Sequence, residues 1–166
     1  MKIGVISDTH IPNRTRLLPP ALFKILADVD LILHAGDITD EDVLAELSAM
    51  APVEAVAGNM DSYLLSTRLG RRKIINVGNF NIGLVHGDLG DGYDRAKTPQ
   101  RALTAFRGQK MDCIIFGHSH VAYNKMVDDV LLFNPGSPTD PRRSTRPSCG
   151  LLTLGEKISG EIIYLP

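Results

Sequence analysis

Three short apolar runs, Ile3 to Ile6, Leu31 to Leu33 and Val53 to Ala57, leave little choice in how the first third of this chain folds. Each is continuous rather than alternating and too short for a helix, the pattern of a strand buried on both faces. Between them lie segments with helical spacing. One starts at Pro19-Pro20, where the missing N–H is harmless in a first turn, and buries Leu22, Phe23, Ile25 and Leu26. The next starts near Thr39, where Thr39-x-x-Asp42 resembles a capping box; Val43, Leu44, Leu47 and Met50 form its apolar face and Pro52 ends it. A βαβαβ beginning of this kind builds a parallel sheet with helices as cover.

The second half is richer in strands joined by tight turns. Lys73 to Val77, Phe80 to Val85, Cys113 to Phe116, Tyr123 to Val127, Val130 to Phe133, Gly150 to Leu154 and Glu161 to Leu165 are strand candidates, with turn signals at Gly78-Asn79, Asp128-Asp129 and Gly155-Glu156. One helix interrupts them, from Thr98-Pro99 to about Arg107, burying Ala102, Leu103 and Phe106 before Gly108. Helix-linked strands followed by hairpins predict an α/β sandwich: two sheets face to face with helices outside. No repeat or linker divides the chain, so residues 1–166 read as a single domain, and the proline- and arginine-rich stretch from Asn134 to Ser148 as a surface excursion within it.

Composition narrows the function classes. A formal net charge of −1 provides no global field for a polyanion, so nucleic acid is not an expected partner. The two cysteines, Cys113 and Cys149, are unclustered and form neither a disulfide framework nor a thiolate metal site, which suits a reducing cytoplasm. The apolar stretch at the N-terminus is too short for a secretory h-region and no run approaches a membrane span. A soluble, unprocessed, cytoplasmic protein is the expectation.

Five polar motifs follow the apolar runs: Asp8-Thr9-His10, Gly36-Asp37, Gly58-Asn59-Met60-Asp61, His86-Gly87 and Gly117-His118-Ser119-His120. Side chains two apart on an extended backbone share a side, so Asp8 with His10, and His118 with His120, each form a pincer. With Asp37, Asn59 and His86 they make seven oxygen or imidazole donors and no thiolate, a set suited to Mn, Fe, Zn or Ni. Seven donors exceed the needs of one tetrahedral ion but suit two ions roughly 3.5–4 Å apart. Asp37, central and acidic, is the natural bridge. His34, at the end of its run, reads as a hydrogen-bonded histidine supporting the ligands rather than one of them.

This ordered set resembles the calcineurin-like metallophosphoesterase superfamily, and Asn134-Pro135-Gly136-Ser137 resembles its small bacterial and archaeal phosphodiesterases, a branch that includes the eukaryotic retromer scaffold subunit. The resemblance implies a four-layer α/β/β/α sandwich of two mixed sheets flanked by helices. It places one divalent metal on Asp8, His10, Asp37 and His120 and the other on Asp37, Asn59, His86 and His118. Mn²⁺ is the expected ion, with Zn²⁺, Fe²⁺ and Ni²⁺ compatible. It also implies hydrolysis of small phosphate diesters by a metal-bridging hydroxide, with Asn59, His86 and His118 as catalytic residues and Asn59 donating its amide to a phosphate oxygen. Many larger members read Gly-Asn-His at the third motif, and that histidine protonates the leaving alkoxide. Met60 stands there in this chain and cannot donate a proton, so activated aryl or cyclic diesters are the expected substrates.

Weaker signals stand beside these. Gly87 to Tyr93 is a Gly/Asp-rich loop that could close over substrate, Arg142, Arg143 and Arg146 could receive a phosphate, and Asp61 could orient a ligand or cap its own turn. The alternative to catalysis is a metal-binding scaffold for protein contacts; a nuclease and a phosphomonoesterase rank lower. Homo-oligomerisation stays open.

Overall fold

The computed structural model describes residues 1–89, 94–142, 144 and 146–166, without the side chain of Arg95. The first sheet contains β1 (Lys2–Ile6), β2 (Leu31–His34) and β3 (Val53–Ala55), parallel neighbours crossed by α1 (Pro20–Ile25) and α2 (Glu41–Ser48). After β3 come α3 (Tyr63–Leu69), β4 (Arg72–Val77), β5 (Phe80–Val85), a 3₁₀ turn at Arg95–Lys97, α4 (Thr98–Ala105), β6 (Cys113–Ile115), β7 (Tyr123–Val127) and β8 (Val130–Asn134). The chain ends in β9 (Ser148–Leu154) and β10 (Ile158–Tyr164). Strand order is β10-β9-β1-β2-β3 in one sheet and β4-β5-β6-β8-β7 in the other. Both are mixed: β9 runs antiparallel to β1, while β5, β6 and β8 are parallel and β4 and β7 pair antiparallel at the edges.

Period-two alternation divides the side chains of each central strand between two cores. Ile3, Val5, Leu31, Leu33, Ile82, Leu84, Cys113, Ile115, Leu131 and Phe133 meet between the sheets. Ile6 and Ile32 point the other way, onto Leu22, Leu26, Val43, Leu47 and Leu65, and Val85, Ile114, Phe116 and Leu132 face Ala102 and Phe106. The result is the expected four-layer α/β/β/α sandwich, with three helices outside one sheet and α4 outside the other. Among the described residues no helix is long and apolar enough to cross a membrane.

Several local expectations are corrected. The cap of α2 is Asp40, whose side chain accepts from the Asp42 amide; Thr39 instead donates its hydroxyl to the Ile11 carbonyl. Helix α3, absent from the sequence reading, is capped by Ser62, whose Oγ accepts from Leu65 N at 3.2 Å. The third run leaves the sheet after Ala55, and α4 ends at Ala105 rather than near Arg107. Residues 134–138 are buried rather than a surface excursion, because Asn134 and Ser137 bond to the backbone of the loops after β6 and β1.

Candidate metal centre

Every donor-bearing motif leaves the carboxyl end of a strand: Asp8 and His10 follow β1, Asp37 follows β2, Asn59 follows β3, His86 follows β5, and His118 and His120 follow β6. Parallel pairing within each sheet brings these ends to one edge, the usual place for a ligand crevice in α/β sheets. Asp8, His10, Asp37, His118 and His120 all have positive φ, between 47° and 65°. Such angles are uncommon for residues other than glycine, though Asp and His tolerate them better than most. Five strained donors in one crevice point to function.

The donor atoms converge. His120 Nε2 lies 3.3 Å from Asp8 Oδ1 and 3.2 Å from His10 Nε2, with the two rings stacked. Asp37 Oδ2 stands between the two halves, 3.5 Å from His10 Nε2 and 3.2 Å from His86 Nε2. Asp8, His10 and His120 form one compact group and Asp8, Asp37 and His86 another, each with ligand atoms within 4.8 Å. Asn59 and His118 face each other at 3.1 Å on the more exposed side, the His118 ring standing edge-on to His86. His118 is only partly buried, whereas Asp8, His10, Asp37, His86 and His120 are buried.

Tautomers follow from the neighbours. His86 Nδ1 donates to the Ala35 carbonyl at 2.7 Å and His120 Nδ1 to the Asp140 carbonyl, which turns both Nε2 atoms inward. Among the described residues the buried His86 Nε2 makes no well-formed hydrogen bond, its nearest carboxylate oxygen being Asp37 Oδ2 at 3.2 Å. A buried, unsatisfied imidazole nitrogen is costly unless something else meets it. Together with the oxygen and imidazole donor set, it fits a divalent cation.

Charge is arranged to the same end. Burial lowers His10 and takes His120 down to about 3, so both imidazoles are neutral near pH 7. Burial pushes the Asp8 carboxyl up to about 7. At His86 burial is outweighed by Asp37 and Asp8, which push it up to about 9; in return His86 holds Asp37 well below the carboxylate range against its own burial. Without a cation, a proton on His86 balances the carboxylates.

His34 does not enter the site. Its Nδ1 accepts from Gly36 N at 3.2 Å and its Nε2 lies 3.2 Å from Thr9 Oγ1, so it fastens the two acidic loops while burial takes its pKa down to about 3. Two glycines admit the carboxylates: a Cβ on Gly58 would stand 2.1 Å from Asp37 Oδ1, and one on Gly117 2.7 Å from Asp8 Oδ2. Asp61 does both things expected of it. Its Oδ2 accepts from Gly58 N and Asp37 N, and its Oδ1 from Ile38 N and Thr39 N, tying its own turn to the Asp37 loop.

Three supports were not expected from the sequence. Asn134 Nδ2 donates to the Gly117 carbonyl at 2.8 Å and Ser137 Oγ to the Asp8 carbonyl at 2.8 Å. Arg71 donates to the Gly58 carbonyl and pairs with Asp88, linking the Asn59 and His86 loops. The Asn-Pro-Gly-Ser segment was the one signal that could have flagged the first two. Arg142 lies near the centre, its charge contributing after burial to the lowering of His10 and His120. Arg146 instead donates to the Leu165 carbonyl and covers the Tyr164 ring. Gly90 to Tyr93 and Arg143 lie outside the described residues.

The model of the calcineurin-like phosphoesterase superfamily domain matches residues 1–157. A probable metallophosphoesterase of Methanothermobacter thermautotrophicus is 46% identical over 165 residues, 98% of this chain and 92% of its own. An archaeal phosphodiesterase of known structure shares 25% identity with a TM-score of 0.72, covering 99% of this chain and 100% of that one. Vps29 of Chaetomium thermophilum, 23% identical with a TM-score of 0.80 and full coverage of both chains, shares the fold.

Proposed function

The chain belongs to the calcineurin-like phosphoesterase superfamily, and from that premise we propose that it is a single-domain, dinuclear metal-dependent phosphodiesterase acting on small or activated diesters. The observation that carries this reading is the convergence of five buried donor residues, Asp8, His10, Asp37, His86 and His120, in two compact groups that share Asp8, with Asn59 and His118 paired on their exposed side. Asp8, His10, Asp37 and His120 would hold one divalent cation, and Asp37, Asn59, His86 and His118 the other. Mn²⁺ is the ion we assign. Divalent cations held there would supply the acidity that makes water nucleophilic near neutral pH and the positive charge that phosphoryl oxygens need.

The chain's own groups do the rest. Asp37 Oδ2, placed between His10 and His86, fixes the spacing of the two halves. His118, part-exposed in front of the buried His86, shapes the face on which a diester arrives, and Asn59, with its Oδ1 turned to His118, presents its amide N–H to a phosphoryl oxygen. The carboxylates of Asp8 and Asp37 and the imidazoles of His10, His86 and His120 are buried, where each electrostatic contact is stronger than at the surface. No proton donor stands at Met60, whose exposed thioether follows Asn59, so the leaving group must depart without one. Activated diesters meet that requirement and alkyl diesters do not. The complete donor set favours catalysis over a scaffold role.

Turnover of an aryl diester, an aryl monoester and single-stranded DNA, with and without Mn²⁺, tests the reading. The expected result is Mn²⁺-dependent cleavage with the aryl diester preferred. Equal turnover across leaving groups of widely different pKa would contradict the part assigned to Met60.

A further inference from the structure

Beside the imidazole of His120 lies a group of charges that the chemistry above does not use. Asp140 Oδ2 accepts from Arg142 Nε at 3.0 Å and lies 3.3 Å from Arg14 Nε. The same oxygen is 3.8 Å from His120 Nδ1, and the Asp140 backbone carbonyl receives that ring's N–H. Arg14 comes from the loop that carries Asp8 and His10, and Arg142 from the β8–β9 connection packed against it. Arg14 N donates to the His10 carbonyl at 2.9 Å, and Arg142 follows the segment that Ser137 and Thr139 fasten to the Asp8-Thr9 backbone.

A solvated surface ion pair is the ordinary reading of such a group, and three features speak against it. Two guanidiniums share one carboxylate oxygen, so the cluster keeps a charge of +1 in a chain whose net charge is −1. Each arginine spends its Nε on Asp140, and among the described residues neither Nη pair has a protein partner. Arg142 also keeps φ at 49°, a backbone cost that a solvated arginine has no reason to bear. Its side chain is 25% exposed, enough for a ligand to reach it.

We propose that Arg14 and Arg142, held by Asp140, form a subsite at the His120 side of the crevice for a second anionic group, phosphoryl in class, carried on the non-leaving alcohol of the substrate. The forked Nη pairs match the oxygens of such a group, and two of them offer more donors than a single phosphate ester oxygen needs. The proposal rests on the phosphodiesterase reading and narrows its substrates to diesters bearing a further negative charge.

Two esters with the same p-nitrophenolate leaving group separate this subsite from the chemistry: p-nitrophenyl propyl phosphate and p-nitrophenyl 3-sulfopropyl phosphate, whose sulfonate stands in for phosphate and is not itself hydrolysed. With Mn²⁺, the wild type should favour the sulfopropyl ester by about tenfold in KM, the value of one good charge-assisted contact. The double variant R14A/R142A should lose that preference in KM, whatever common change it makes to kcat of both esters, and R142K should retain part of it. An unchanged preference in the double variant, or an equal rise in KM for both esters, overturns the proposal. If neither ester turns over, the phosphodiesterase reading fails and binding decides. Calorimetry of 3-sulfopropyl phosphate against propyl phosphate, with and without Mn²⁺, should show a preference in the wild type that the double variant lacks; no preference in the wild type overturns the subsite.

Discussion

Replacing Asp61 with asparagine keeps the size of the side chain and removes half of what it does. The carboxylate accepts four backbone N–H groups, from Asp37 at 3.0 Å, Gly58 at 2.7 Å, Ile38 at 2.8 Å and Thr39 at 2.7 Å. Asparagine offers one oxygen, so in either orientation its NH₂ faces two of those donors. At roughly 1.5–3 kcal/mol for each hydrogen bond to a charged group, losing two costs about 3–6 kcal/mol. Asp61 is partly exposed, and water relieves some of this, leaving about 2–4 kcal/mol. In a domain of this size that lowers the Tm by roughly 5–15 °C. Because the freed amides belong to the loops carrying Asp37 and Asn59, Mn²⁺ affinity should fall by about tenfold or more as well. Thermal unfolding in chelator reads the clamp alone, and calorimetric Mn²⁺ titration reads its effect on the site. A Tm within about 2 °C of wild type together with unchanged affinity would refute the assignment.

Arg71→Ala should weaken one of two Mn²⁺ sites by about 10–100-fold and spare the other, since Arg71 braces only the Asn59 and His86 loops; equal weakening in a two-site titration would contradict this. Metal loading should displace protons from Asp8, at about 7, and His86, at about 9, while His10 and His120 are already neutral. Affinity for Mn²⁺ should therefore rise by about tenfold per pH unit between 7 and 9 and more steeply below 7, and a flat profile would be inconsistent with these charges. Met60→His, at an exposed position that the cores do not use, should raise turnover of alkyl diesters by up to about 10²-fold and leave aryl diesters nearly unchanged; equal effects on both would show that the leaving group needs no acid.

The layers of the fold were legible because burial is written in the alternation of the strands. Ile3 and Val5 face one core and Ile6 the other, and a continuous apolar run tells a reader that both faces are covered. Helix α3 was not legible: it has seven residues, and Tyr63 and Leu64 at its start are exposed, which blurs the helical period. Thr39 and Asp40 are both good capping residues, and only the competing bond from Thr39 to Ile11 decides between them. At the centre, the donors could be named because each ends a strand. Their supports could not, since Asn134 meets Gly117, and Arg71 meets Gly58 and Asp88, only after the sheets have formed. The left-handed backbone at Asp8, His10, Asp37, His118 and His120 was not legible either, because Asp and His tolerate it better than most residues but adopt it only where their surroundings require it.

Anomalous diffraction from crystals soaked in Mn²⁺ addresses the central claim most directly. Two peaks in the crevice, one touching Asp8, His10 and His120, the other Asn59, His86 and His118, with Asp37 contacting both, are the expected result. A single peak, or manganese bound away from Asp37, would contradict the dinuclear centre on which the proposed chemistry depends.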